Sequence, residues 1–262
     1  MIVIKYGGHA LPEPGSIDPA LELIAQEHRA GKKLILVHGG GPQINAALSA
    51  RGLGKEMVAG YRKTSPEVFA VVQEVLSGQV LRSIVNQLVH LGINAVGLSA
   101  ADGEIVRAEK MLVNLHGALT DVGLVGDIKS SNPALLIQLL ADGYLPVISP
   151  IGVDVAGQGL NLNADLVAGA IGGSLKAERV LYMTDVSGIY RNWPDASSKI
   201  DSICVDELRS LAPSFSEGMI PKVKSAINAI ESGAQAVRIF DGRDIAELRA
   251  ALADSGGTLV VP

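Results

Sequence analysis

The stretch LILVHGGGPQINAAL, from Leu34 to Leu48, allows few folds. Leu34 to Val37 is an unbroken apolar run, which reads as a buried strand. His38 and the glycines Gly39, Gly40 and Gly41 follow, and then Pro42 opens a segment with Ile44, Ala47 and Leu48 at helical spacing. Proline suits a first helical turn, where its missing N–H is not needed. A strand that passes through glycines into a helix N-terminus presents bare N–H groups at the positive end of the helix dipole, where an anion can sit. Taken alone, the triple glycine reads equally well as a tight strand-to-helix turn in any α/β protein.

Strand-like runs alternate with helical segments from end to end. This alternation implies an α/β fold with a mostly parallel central sheet and helices on both faces. Further strands are expected at Met1–Tyr6, Asn94–Ser99, Tyr144–Ser149, Glu178–Thr184, Val237–Phe240 and Thr258–Val261. Helices are expected at Asp18–Ala30, Pro66–Leu76, Val80–Leu91, Ala134–Ala141, Asp165–Ser174 and Asp206–Ala212, and from Lys222 to Glu231. Gly78 interrupts one helical pattern. The residues from Lys110 to Gly126 read as hairpin material on the sheet's edge, and Ala101-Asp102-Gly103 as a hairpin-type turn.

Composition removes several classes of function. The net charge of −5 and the lack of any Lys/Arg cluster argue against a nucleic-acid partner. No apolar run reads as long enough to span a bilayer, and no signal-peptide pattern opens the chain. The single cysteine, Cys204, excludes an internal disulfide or a Cys-based zinc site, and between Ile203 and Val205 it reads as a small core residue. A cytoplasmic globular protein is the expectation.

The familiar catalytic signatures do not occur: no Walker loop, no Gly-x-Gly-x-x-Gly after a strand, no hydrolase elbow at Gly97-Leu98-Ser99, and no metal-ligand spacing among the five histidines. What remains is a set of charged residues at element ends. Lys5 closes the first strand just before Gly7 and Gly8. Asn161, Asn163 and Asp165 stand at a helix start, where Asn163 suits the N-cap and Asp165 the dipole. Lys222 follows Pro221 at another helix start, where a cation is electrostatically misplaced, and that misfit points to function.

These pieces together resemble the amino-acid kinase family, specifically its members that act on N-acetyl-L-glutamate. The matching segments are Lys5-Tyr6-Gly7-Gly8, His38 to Gln43, Gly60-Tyr61-Arg62-Lys63-Thr64, Asn161 to Asp165, Thr184 to Gly188 and Gly218 to Val223, in the family's order and at its spacings. His9 departs from the pattern, where many members have Asn. The resemblance implies a three-layer α/β/α sandwich, with an acyl-amino-acid lobe over residues 1–172 and an ATP lobe over 173–262. It implies ATP-dependent phosphorylation of the side-chain carboxylate of N-acetyl-L-glutamate to the 5-phosphate, in arginine biosynthesis. Alternatives within the fold are a kinase for carrier-protein-linked glutamate or α-aminoadipate, and a non-catalytic metabolite-binding regulator.

The resemblance also implies roles for residues. Lys5 and Lys222 would neutralise charge on the transferring phosphoryl group, with Asp165 between them. Gly40 and Gly41 would donate N–H groups around the phosphates and the attacking carboxylate. Arg62 would grip the substrate's α-carboxylate, and Asn161 would hold the substrate. Gly8 and the segments Asp185, Val186, Ser187, Gly188, Ile189, Tyr190 and Ser214, Phe215, Ser216 would form the nucleotide site. Mg²⁺ would ride on the ATP phosphates with no metal site in the protein, and the assembly would be a homodimer. Lys5 lies only four residues into the chain, so the extra N-terminal helix of the arginine-inhibited hexameric members is expected to be missing.

Overall fold

The computed structural model describes residues 1–7, 16–115, 117–215 and 219–262. In chain order the strands are β1 (Ile2–Tyr6), β2 (Leu34–His38), β3 (Met57–Val58), β4 (Tyr61–Arg62), β5 (Ala95–Ser99), β6 (Val106–Leu115), β7 (Ala118–Ser131), β8 (Leu145–Ser149), β9 (Ile151–Val153), β10 (Gly159–Asn161), β11 (Arg179–Thr184), β12 (Ser202–Cys204), β13 (Val237–Asp241) and β14 (Thr258–Val261). The α-helices are α1 (Pro19–Arg29), α2 (Gly41–Ala50), α3 (Pro66–Gln73), α4 (Leu81–His90), α5 (Ala134–Ala141), α6 (Ala164–Ser174), α7 (Val205–Leu211), α8 (Ile220–Glu231) and α9 (Ile245–Leu252).

Eight strands form the main sheet in the order β12-β14-β13-β11-β1-β2-β8-β5. From β13 to β5 every neighbouring pair is parallel, and β14 runs antiparallel to β13. The central strands are apolar on both faces because both are covered. Ile2, Ile4, Leu34 and Leu36 face one core with α1, α3, α4 and α9, whereas Val3, Ile35 and Val37 face the other with α5, α6 and α8. The result is a three-layer α/β/α sandwich. Local signals set the helix starts: Asp18 accepts from the Ala20 N–H before Pro19, and Ser65 accepts from the Val68 N–H before Pro66.

Several expectations need correction. The hairpin expected at the sheet's edge is β6 and β7, and with β9 and β10 it closes into a separate small barrel. Ala101-Asp102-Gly103 enters a 3-10 turn, not a hairpin. Gly78 does not break its helix, since Glu74–Val80 runs on as a π-helical segment that joins α3 to α4. The resulting continuous helix, Pro66–His90, has 25 residues, and an 18-residue window within it has a mean hydropathy of 1.4, so by length and composition one helix among the described residues does reach membrane-spanning dimensions. Half of that apolar window is buried, and Val72, Val75, Leu76, Ile84 and Leu88 sit in the core. Cys204 is exposed, because alternation on β12 turns Ile203 inward and the thiol outward.

Candidate active site

β1 is where the strand order of the sheet reverses. The chain proceeds from β1 to β2 on one side and returns to β11 on the other, and such a switch point opens a crevice at the C-terminal strand ends. A cavity of about 310 Å³ lies there. Its walls come from the ends of β1 and β2, from Pro150 after β8, from the first turns of α2 and α6, and from Arg62 on β4.

The glycine loop lines it. Gly40 is the N-cap of α2 and offers no side-chain cap, so the first N–H groups of that helix have no intrahelical partner. A Cβ at Gly39 or Gly41 would meet nothing within 4 Å, whereas one at Gly40 would strike Leu76 Cδ2 at 2.6 Å. The loop therefore presses on the π-helical segment at Gly40 and stays open on either side. Behind it, His38 is fully buried, its Nδ1 lies 2.8 Å from the Gly39 carbonyl oxygen, and burial lowers its pKa to about 4. The ring is neutral, and its Nδ1–H is the donor to that carbonyl.

Lys5 and Asp165 meet in the cavity. The Lys5 ammonium lies 3.1 Å from Asp165 Oδ1, with both side chains largely buried, and 3.4 Å from the Met183 carbonyl on β11. The ammonium approaches Asp165 as an ion pair without hydrogen-bond alignment, and Oδ1 makes no hydrogen bond. Asp165 is placed by a cap: Asn163 accepts from the N–H groups of Asp165 and Leu166 and starts α6. Tyr182, fully buried on β11, then ties α6 to α8 by donating to the carbonyls of Asp165 at 3.1 Å and Ser225 at 3.2 Å. Burial, and next the Asp165 charge, raises the Tyr182 pKa well above its ordinary value, so the phenol stays a donor.

Arg62 and Asn161 line the same cavity. Arg62 Nη2 donates to Asn45 Oδ1 at 2.6 Å, and Nη1 is buried with no partner. Burial lowers the arginine's pKa. Thr64, with no exposed surface, joins the two residues: its hydroxyl donates to the Arg62 carbonyl at 2.7 Å and accepts from Asn161 Nδ2 at 3.3 Å. Its backbone bridges to β7 through Val122 O and Leu124 N. Asn45 and Tyr182 carried no signal in the sequence reading, and Thr64 only as the last residue of a matching segment, because each acts through a partner on another element.

Of the remaining candidates, Asp185 to Tyr190 follow the C-terminal end of β11. Lys222, at the start of α8, pairs with Asp185 at 3.4 Å. Asp165 therefore meets Lys5, while Lys222 meets the first residue of the expected nucleotide segment. Partial burial would raise Asp185, but Lys222, the backbone and Arg243 together hold its carboxyl below the usual range. The Thr184 hydroxyl braces Val186, the Ile189 N–H donates to Thr258 Oγ1 at 2.8 Å, and the Tyr190 ring packs edge-on against Trp193 at 5.1 Å. Ser187 is half-buried, Gly188 is buried, Ser214 ends a 3-10 turn and Phe215 packs on the core. Gly8 and Ser216 lie outside the described residues.

In chemical terms the cavity joins a cation–carboxylate pair, open glycine N–H groups and a guanidinium with an unused donor. Among the described residues that line it there is no His, Ser or Cys, and so no nucleophile–base pair. This is a site for anions, built to position and neutralise them.

The chain matches proteins of the same construction. It is 39% identical over 264 residues to an acetylglutamate kinase of Corynebacterium glutamicum, covering 100% of this chain and 90% of that one. It is 41% identical over 267 residues to an acetylglutamate kinase of Acidothermus cellulolyticus, again covering 100% and 90%. The solved structure of smu.665 from Streptococcus mutans superposes with a TM-score of 0.79 at 27% identity, over 99% of this chain and 98% of that one. Residues 1–241 match the family described as the Amino acid kinase family, and with the switch-point cavity and the full-length relatives this match shows that the chain belongs to it.

Proposed function

We propose that this kinase transfers the γ-phosphoryl group of ATP to the side-chain carboxylate of N-acetyl-L-glutamate, forming N-acetyl-L-glutamyl 5-phosphate for arginine biosynthesis. One observation carries the substrate assignment: Arg62, whose Nη1 makes no hydrogen bond, lines the cavity that also holds the Lys5–Asp165 pair and the glycine loop. A guanidinium with a free donor at one end of the cavity and a phosphate cradle at the other suits a molecule with two carboxylates. The acetylglutamate kinases that share about two residues in five with this chain support the same reading.

In the proposed reaction a carboxylate oxygen attacks the γ-phosphorus in line and a new P–O bond forms. The bond to the bridging oxygen breaks, and ADP leaves with that electron pair. The nucleophile is ionised at neutral pH, so no general base is needed, which agrees with the make-up of the cavity. Lys5 and the open N–H groups of the α2 turn would hold the phosphoryl oxygens, and Asp165 would keep Lys5 charged and aimed. Lys222, now on Asp185, would reach the same oxygens from the α8 side. Gly40 and Gly41 would hold the attacking carboxylate, and Asn161 would hold the acyl amide. The segments Asp185–Tyr190 and 214–216, with Gly8, would seat the nucleotide. Mg²⁺ bound to the ATP phosphates would neutralise β- and γ-oxygen charge, and the uncapped α2 turn has room for such an oxyanion complex. A cytoplasmic homodimer belongs to this reading as well; the outer edge of β5 ends the eight-stranded sheet and leaves a row of backbone groups for pairing.

The test is ATP-dependent acyl phosphate formation, trapped as the hydroxamate, with N-acetylglutamate compared against glutamate, aspartate and α-aminoadipate. N-acetylglutamate should give the highest kcat/KM. Absence of product with it, or a better rate with another acceptor, would remove the assignment.

A further inference from the structure

We infer that Asn45 is a positioning residue for substrate recognition, and that its neutrality matters as much as its hydrogen bond. The inference rests on the functional reading above, with Arg62 as the carboxylate grip. Asn45 sits on α2, one turn after the glycine loop, and is half-buried. Asparagine is a poor helix former, so helix propensity gives no reason for it there. Its side chain meets Arg62 Nη2 at 2.6 Å. A guanidinium has donors only, so the amide must turn its oxygen to the arginine, and the geometry allows one orientation. Nη2 is thereby fixed, Nη1 makes no hydrogen bond, and the arginine lines the cavity.

An aspartate at this position would form the stronger bond, since charge-assisted pairs exceed neutral ones. It would also neutralise the guanidinium that has to attract a second carboxylate. The neutral amide orients Arg62 and leaves its positive charge for the ligand. The same contact joins the loop that faces phosphate to the strand that faces the α-carboxylate, so the two ends of the substrate are gripped by parts held in one register.

The experiment compares Asn45→Ala, Asn45→Asp and Arg62→Ala with the unaltered enzyme, measuring KM for the acyl amino acid, KM for ATP, kcat and thermal midpoint. Asn45→Ala should raise KM for the acyl amino acid ~10-fold with KM for ATP changed less than ~2-fold, and Arg62→Ala should raise it further. Asn45→Asp keeps the acceptor, so its midpoint should equal or exceed that of the unaltered enzyme. Its KM for the acyl amino acid should nevertheless rise at least ~10-fold. A merely structural role gives the opposite: Asn45→Asp restores normal KM. That result, an unchanged KM in Asn45→Ala, or equal shifts for both substrates would overturn the inference while leaving the reaction assigned. An unaltered enzyme that does not phosphorylate N-acetylglutamate would overturn the functional reading, and this inference with it.

Discussion

His38 shows how one buried side chain makes the site sensitive to acid. Its pKa of about 4 lies below the ordinary 6.5 because burial disfavours the imidazolium. Between those values the unfolded chain binds a proton that the native chain does not, so stability is full above about pH 6.5 and falls as pH drops toward 4. The loss over that window should be on the order of 2–3 kcal/mol. Urea denaturation of wild type and His38→Gln at several pH values would measure it, and the variant should show a flatter profile between the two values. A profile unchanged by the substitution would remove His38 as its source. At the other end of the site, Lys222 stands on Asp185, within reach of the nucleotide segment. If it also serves the phosphoryl group, Lys222→Ala should lower kcat by ~10²–10³ with little change in either KM, the effect of losing one preorganised charge. A variant with wild-type turnover would leave it a surface lysine.

At the scale of elements, α6 and α8 meet through glycine. A Cβ on Gly173 would lie 2.3 Å from Ser232 Cβ and 2.8 Å from backbone atoms of Ser232, so the helices cannot part locally to admit it. Gly173→Ala should destabilise by ~1–3 kcal/mol, although alanine favours helix by ~1 kcal/mol over glycine. A chemical denaturation midpoint at or above wild type would show that the contact yields. This small-residue helix could be read directly, because its glycines and alanines spell close packing. The parallel strands were equally legible, since burial on both faces leaves an unbroken apolar run. The barrel was not. β9 and β10 have three residues each, and β6 and β7 mix exposed and buried positions, so only long-range pairing gives them a register. Gly78 misled because a π turn satisfies the backbone where an α turn with glycine would be weakened. α9 went unread although Asp244 caps its start. Lys5, the glycine loop and Asp165 were visible as charged or bare positions at element ends, and Arg62 through the family resemblance. Asn45 was not, nor was the part Thr64 plays, for their meaning lies in contacts between elements far apart in sequence.

For the molecule as a whole, β1 is shared property. It pairs with β2 from the half that carries Arg62 and with β11 from the half that carries Asp185, and its last turn of chain holds Lys5. The two sides of the sheet thus share a central strand, and Lys5 reaches across by touching Met183 on β11. Loss of the pairing on either side would strip β1 of one neighbour. Amide exchange therefore offers a reading of the catalytic strand that no rate measurement gives. The protons on β1 should be among the slowest in the chain, released only when everything unfolds, with a free energy equal to that from denaturant titration. Amides of the β3–β4 hairpin, which is two residues wide on each side, should exchange by local fluctuation. Faster release from β1 than from β2 or β11 would mean that the lobes open independently. If β1 is the last to let go, proteolysis or heat destroys the active centre in one step, and no half-folded form keeps partial activity.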